Sequence, residues 1–282
     1  MTHTIDVRHS IQPTQAETLD TQGLRTHFLI DDLFPAGGMS CTYLHDDRMI
    51  VMGACPGKDA LAFTPEQCAL VKAETMLERR EMGVFNVGGA GEITVDGTRY
   101  AMERMDGLYV GRGAKAIRFT SKSADTPAKF YMNLAPAHVS HPTRHFPKAS
   151  LKGDALGAQA TANRRELVKV IHPGNGPSCQ LVMGYTRLEE GNVWNTMPAH
   201  THDRRMEVYL YLDLATDAAV IHLMGRPQAT RHLVMRNEQA VVSPPWSIHS
   251  GAGTSNYTFI WSMAGENQAF TDMDAVPVSS LL

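Results

Sequence analysis

The segment His200-Thr201-His202-Asp203-Arg204-Arg205-Met206-Glu207 sets two imidazoles on alternate residues and a carboxylate a short way beyond them. An extended backbone sends alternate side chains to one face, so His200 and His202 can converge on a single ion. Glu207 has the opposite parity, and a turn or bulge at Asp203 to Arg205 must bring its carboxylate back to the rings. A fourth donor is available in Pro244-Pro245-Trp246-Ser247-Ile248-His249, where the prolines end one strand and the histidine sits at the lip of the next. Three imidazoles and one carboxylate suit Zn, Fe or Mn and leave positions for water or a substrate oxygen. Ligand type alone does not choose among these metals. In a chain with 13 histidines, a His-x-His pair by itself is more often surface or hydrogen-bonding chemistry than a metal site. Glu207 and the downstream Pro-x-x-x-His are what single out this pair.

The elements that must position these groups read as strands. From Gly83 onward, short β-prone runs separated by glycine cover Val84 to Val87, Glu92 to Val95, Thr98 to Met102, Leu108 to Val110, Ala116 to Thr120 and Lys129 to Leu134. Asp96-Gly97 predicts a type I′ hairpin, because that turn needs φ > 0 at both central positions. After a connector from Pro136 to Ala162, a second set covers Glu166 to Ile171, Cys179 to Arg187, Glu207 to Leu214, Ala218 to Leu223, Arg231 to Met235, Gln239 to Val242 and Tyr257 to Met263. Thr64-Pro65 predicts the start of a helix running to about Glu78, with Thr as N-cap and Pro at the first helical position. Two strand-rich halves predict an all-β chain of two related β-barrels with a few short helices. The N-terminal barrel would span residues 1–150 without a metal site, and the metal-binding barrel residues 151–282.

Composition narrows the partners. The chain has 282 residues, with 26 Lys plus Arg against 29 Asp plus Glu, a formal charge of −3 that gives no field for gathering nucleic acid. No apolar run approaches the roughly 20 residues that cross a bilayer as a helix. A polar start, Thr2-His3-Thr4-Ile5-Asp6, argues against a secretory leader, and four cysteines without paired metal-ligand spacing fit a reducing compartment. The expected location is the cytoplasm.

His-x-His-x4-Glu followed by a proline-rich approach to histidine resembles the two motifs of the cupin superfamily, which implies that the two barrels are the jelly rolls of an all-β bicupin. Across the whole chain the resemblance narrows to the 5-keto-4-deoxyuronate isomerase (4-deoxy-L-threo-5-hexosulose-uronate ketol-isomerase) family. It runs from Asp6-Val7-Arg8-His9-Ser10-Ile11 and Thr18-Leu19-Asp20-Thr21-Gln22-Gly23-Leu24-Arg25 through Leu77-Glu78-Arg79-Arg80-Glu81, Gly88-Gly89-Ala90-Gly91, Thr94-Val95-Asp96-Gly97 and Ala135-Pro136-Ala137-His138. It is densest from Trp194-Asn195-Thr196-Met197-Pro198 through the His-x-His segment to Val208-Tyr209, and ends at Gly265-Glu266-Asn267-Gln268 and Asp272-Met273-Asp274. The resemblance implies one zinc per subunit on His200, His202, Glu207 and His249. It also implies a cytoplasmic homohexamer that interconverts 5-dehydro-4-deoxy-D-glucuronate and 3-deoxy-D-glycero-2,5-hexodiulosonate during breakdown of pectin-derived uronates.

Such a substrate carries a carboxylate, for which a planar guanidinium is the expected clamp. Of Arg164, Arg165, Arg187, Arg204 and Arg205, the sequence favours Arg165 and Arg187. Trp194 and Trp246 flank the ligand segments and are candidate pocket walls, whereas Tyr257, Phe259 and Trp261 share a strand face and read as core or subunit contact. A ligand carboxylate has its lone pairs committed, which makes Glu207 a poor base, and the sequence names no other; His222, His232 and Tyr209 read as supports. Other readings are a 5-deoxyglucuronate isomerase of inositol catabolism, a metal-dependent dioxygenase, or a non-enzymatic sugar-binding or storage-type cupin.

Overall fold

The computed structural model describes residues 2–266, 268 and 271–282. Asn267 of the terminal Gly265-Glu266-Asn267-Gln268 motif lies outside the described residues. The chain divides into two compact units: one comprises the chain up to Arg8, Asp32–Leu151 and Val170–Val182, and the other comprises His9–Asp31, Lys152–Lys169 and Met183–Leu282.

In the first unit a seven-stranded sheet runs His3–Arg8, Gly38–Leu44, Ile50–Cys55, Phe130–Pro136, Arg80–Asn86, Gly107–Val110, Arg144–Phe146. A four-stranded sheet runs Leu61–Ala62, Ile117–Ser121, Gly91–Val95, Thr98–Met102. Met52, Val84, Leu108 and Met132 of the larger sheet share one apolar core with Ile93, Met102 and Phe119 of the smaller. The hairpin at Asp96-Gly97 has φ of 46° and 86°, the left-handed pair a type I′ turn requires. Glu81, wholly buried, ties down the segment after Ser178: its carboxylate accepts from the Tyr109 hydroxyl at 2.7 Å and from the backbone N–H groups of Cys179 (2.6 Å), Gln180 (2.6 Å) and Leu181 (2.8 Å).

The second unit repeats the plan. Its seven-stranded sheet runs Asp154–Leu156, Arg165–Ile171, Val182–Leu188, Thr258–Gly265, Arg205–Leu212, Ala240–Ser243, Leu29–Ile30. Its four-stranded sheet runs Trp194–Asn195, Ser250–Gly253, Val220–Arg226, Ala229–Met235, and a two-stranded ribbon joins His200–Thr201 to Asp274–Ala275. The helix Thr21–Phe28 is capped by Asp20, whose side chain accepts from the Gly23 N–H at 2.7 Å, and buries Leu24 and Phe28 one turn apart.

These findings correct the expected all-β bicupin. Among the described residues the strands form five sheets and none closes into a barrel, and three short α-helices make the class mixed α/β. Closure requires the last strand of a sheet to hydrogen-bond the first, and here each seven-stranded sheet ends instead in strands paired on one side only. The helix expected from Thr64 to Glu78 is also shorter. Thr64 and Gln67 form a reciprocal capping box with Pro65 at the first turn, but the helix spans only Pro65–Leu70. Lys72 takes φ of 51°, a left-handed conformation that ends a helix. No described helix is long and apolar enough to cross a membrane.

Replacing Glu81 by Gln puts an amide NH₂ where one carboxylate oxygen accepts and leaves buried N–H donors unmatched. Unfolding free energy should fall by about 2–3 kcal/mol. Urea denaturation of the two proteins measures it, and equal midpoints would contradict the role assigned to this carboxylate.

Candidate metal centre

Within the second unit the ribbon strand His200–Thr201, held by Asp274–Ala275, presents the first imidazole. The chain turns at Asp203 and Arg204, as the parity change requires, and enters the strand Arg205–Leu212. Arg205, Glu207 and Tyr209 alternate along this strand and all face one cavity. Pro244 follows the end of Ala240–Ser243, and His249 stands immediately before Ser250–Gly253.

The candidate ligand atoms of His200, His202, Glu207 and His249 all lie within 4.8 Å of one another. Glu207 Oε2 is 3.1 Å from His202 Nε2 and 2.9 Å from His249 Nε2, and His249 Nε2 is 3.0 Å from His200 Nε2. His202 Nδ1 lies 2.9 Å from the Arg205 carbonyl and His249 Nδ1 lies 3.3 Å from that of Ser247. A carbonyl only accepts, so each ring carries its proton on Nδ1 and turns the Nε2 lone pair toward Glu207. Lone pairs facing an anionic oxygen repel unless a cation sits among them. Donor atoms about 3 Å apart also match the spacing left by metal bonds of roughly 2.0–2.2 Å. The cluster can therefore hold a metal ion.

Charge states agree with the geometry. Burial alone would raise the Glu207 carboxyl; it is held well below the usual carboxylate range only when positive charge and hydrogen bonding reach it from His249 and His202, a role that a bound cation takes when both rings turn lone pairs toward it. Burial, and then the neighbouring His249, push His200 down to about 3, which keeps its ring neutral and able to donate a lone pair.

A cavity of about 290 Å³ opens onto the cluster. Of the residues the sequence favours for substrate, it brings only Arg165 to this cavity. Arg187 is paired with Glu166 at 3.0 Å on the surface, Trp194 lies on the strand Trp194–Asn195, and Trp246 packs edge-on against Phe28 with ring centroids 6.3 Å apart; none of the three lines the cavity. His232 is exposed, and His222 lies wholly buried with its Nδ1 2.8 Å from the Tyr211 hydroxyl.

The walls come largely from residues assigned other roles by sequence. Phe259 and Trp261 line the cavity, as do Thr186, Asn195, Thr196 and Arg205. The Trp261 indole N–H donates to Thr186 Oγ1 at 3.2 Å. Gly184 makes room for that indole, since a Cβ there would stand 2.3 Å from Trp261 Cζ2 and 2.2 Å from the Val168 carbonyl oxygen. Thr196 takes φ of 53°, a conformation that costs a β-branched residue about 1–3 kcal/mol. Its hydroxyl donates to Asn195 Oδ1 and lies 3.2 Å from the Tyr209 hydroxyl. The alternation Arg205, Glu207, Tyr209 was the available sequence signal for this wall.

A family model described as the KduI/IolB family matches residues 40–277. This chain belongs to the KduI/IolB family. It is 52% identical over 277 residues to the 4-deoxy-L-threo-5-hexosulose-uronate ketol-isomerase of Dickeya dadantii (strain 3937), covering 98% of this chain and 100% of that relative. It is 51% identical, over the same shares, to the protein of that name from Paraburkholderia phytofirmans. Among solved structures, an IolB-like protein from Salmonella typhimurium LT2 superposes with a TM-score of 0.65 at 13% identity, covering 81% of this chain and 87% of its own. The oxalate decarboxylase of Lactobacillus farciminis gives a TM-score of 0.55 at 10% identity, covering 81% and 79%. These two likenesses concern the fold alone.

Burial, and then His249, push His222 down to about 3, whereas an unfolded histidine titrates near 6.5. Between those values the unfolded chain binds one more proton, so this residue makes the family member less stable as pH falls below about 6.5, by about 1.4 kcal/mol per unit. Replacing His222 by Gln should remove about 2 kcal/mol of the stability difference between pH 7 and pH 5. Urea unfolding of both proteins at the two pH values measures this, and equal pH dependence would contradict it.

Proposed function

We propose that this chain is a ketol-isomerase interconverting 5-dehydro-4-deoxy-D-glucuronate and 3-deoxy-D-glycero-2,5-hexodiulosonate in pectin and unsaturated uronate degradation, with one zinc ion per subunit on His200, His202, Glu207 and His249. The observation that carries the reading is the match, at about half identity and over nearly the full length of both chains, to relatives bearing the ketol-isomerase name. The four donors converging beside a cavity supply what that chemistry needs. Zinc suits the donor set because imidazole nitrogen and carboxylate oxygen are among its usual ligands. When bound, the ion polarises a substrate carbonyl and stabilises the negative charge that develops on its oxygen.

Aldose–ketose exchange moves one hydrogen between neighbouring carbons, and the second carbonyl appears as the first is reduced. The chain's own residues set the conditions. His202 and His249 are oriented through their Nδ1–H bonds to backbone carbonyls, and the carboxylate of Glu207 is ionised and committed to the cluster. Burial and the nearby Glu207 push the Tyr209 phenol well up, so its hydroxyl is protonated at neutral pH; with the Thr196 hydroxyl donating to Asn195, the Tyr209 hydroxyl donates to Thr196 Oγ1 and offers its oxygen as an acceptor at the cavity wall. Phe259 and Trp261 keep that wall apolar and exclude water. The working form in this reading is a cytoplasmic homohexamer whose small-molecule partner is the keto-deoxyuronate. Light scattering on dilute protein should give six times the protomer mass, and a stable monomer would contradict that assembly.

The test of the site is Glu207→Gln. The amide keeps the shape and removes the charge that retains a divalent ion, so metal content and isomerase turnover should fall together, with partial recovery in excess zinc. Elemental analysis beside a turnover assay, on dialysed and on zinc-supplemented protein, reads both quantities. Full metal content with no turnover would instead make Glu207 the base.

A further inference from the structure

Of the five arginines weighed from the sequence in the second unit, four have an acid partner. Arg164 Nε is 3.2 Å from Glu189 Oε2, Arg187 is paired with Glu166, and Arg204 Nε lies 3.8 Å from Asp272 Oδ2. Arg205 is almost fully buried, stands 3.9 Å from the same Asp272 carboxylate, donates to the Met263 sulfur at 3.2 Å and also feels the charge of Glu207. Arg165 differs. It is half-buried on the cavity wall, donates one N–H to the Asn163 carbonyl at 2.8 Å, and among the described residues has no carboxylate within ion-pair distance.

Its surroundings make an anion the missing partner. Burial depresses the Arg165 guanidinium from its ordinary value, and the ionisable groups that act on it are the phenols of Tyr209 and Tyr257, which burial keeps protonated. A desolvated cation that faces only neutral groups carries an unrecovered cost, and a planar carboxylate matches the guanidinium with two parallel hydrogen bonds. Leu167, Phe259 and Trp261 add apolar wall on the same cavity. In 5-dehydro-4-deoxy-D-glucuronate the carboxylate and the reacting carbonyl lie at opposite ends of a six-carbon chain. A ligand can therefore hold one end at Arg165 while the other reaches the His200, His202, Glu207 and His249 cluster.

We propose that Arg165 is the carboxylate receptor of this site, the residue that selects an acid sugar over a neutral one and fixes which end of the chain meets the metal cluster. The proposal rests on the isomerase reading for the identity of the substrate. Arg187, favoured equally by the sequence, is excluded from this role by its pairing with Glu166 away from the cavity.

The experiment uses the zinc-loaded full-length protein as wild type, Arg165→Met and Arg165→Lys, each checked for metal content and circular dichroism. Calorimetry reads binding of 5-dehydro-4-deoxy-D-glucuronate and of its uncharged methyl ester, and a turnover assay reads kcat and KM for the acid. Wild type should bind the acid more tightly than the ester by roughly 10- to 100-fold, the range of a hydrogen-bonded charge contact. Arg165→Met should bind the two equally and show a KM for the acid raised by a similar factor, with Arg165→Lys between the two. An unchanged acid preference in Arg165→Met overturns the proposal. Absence of turnover by wild type would count against the isomerase reading alone, because the binding comparison still reports on Arg165.

Discussion

Glu207 is an ionised carboxylate at the bottom of a pocket, almost fully withdrawn from water and faced by imidazole lone pairs. A buried anion without a counter-charge costs several kcal/mol, and the neutral rings around it cannot supply one. This single constraint explains the rest of the centre. His202 and His249 each spend one nitrogen on a backbone carbonyl so that the other can face the same point, and His200 is brought in on its own two-residue strand. The four donors could hold a metal ion, which would complete the charge balance that the protein leaves open.

The scaffold serves that point by strand parity. Arg205, Glu207 and Tyr209 look into the cavity because they alternate on one strand, and Phe259, Trp261 and Met263 do so on its neighbour Thr258–Gly265. The bare backbone of Gly184 on the next strand lets the Trp261 indole lie against the sheet instead of across the cavity. Among the described residues this is the one cluster of its kind, and in the first unit a buried carboxylate, Glu81, serves backbone amides. Two units of the same strand plan thus use a buried acid in different ways, one to fasten a loop and the other to hold a charge in reserve.

The convergence of His200, His202, Glu207 and His249 is legible because three of them sit within eight residues and the fourth follows a pair of prolines. The positions of most strands and the Asp96-Gly97 turn were legible for a similar reason, since each depends on local patterning. Closure was not. Alternation tells which side of a sheet a residue faces, but whether the outer strands meet depends on pairings between segments far apart in sequence, and here they leave the sheets open. The helix Thr21–Phe28 is hard to read locally because Gly23, a weak helix former, sits in its first turn, where Asp20 caps it. Trp194 and Trp246 were near the ligands in sequence and outside the cavity in space, while Trp261, distant in sequence, lines it. Likewise nothing local distinguishes Arg165 from Arg187; only the position of Glu166 relative to each does.

The central claim is that a single divalent ion occupies the point on which His200, His202, Glu207 and His249 converge. Crystallographic anomalous scattering recorded above and below the zinc absorption edge, on protein purified without added metal chelator, tests it directly. The account predicts one peak per protomer, present only above the edge and at bonding distance of about 2.0–2.2 Å from a nitrogen of each histidine and an oxygen of Glu207. A fully active crystal form with no peak there, or with its ion bound elsewhere, would contradict it.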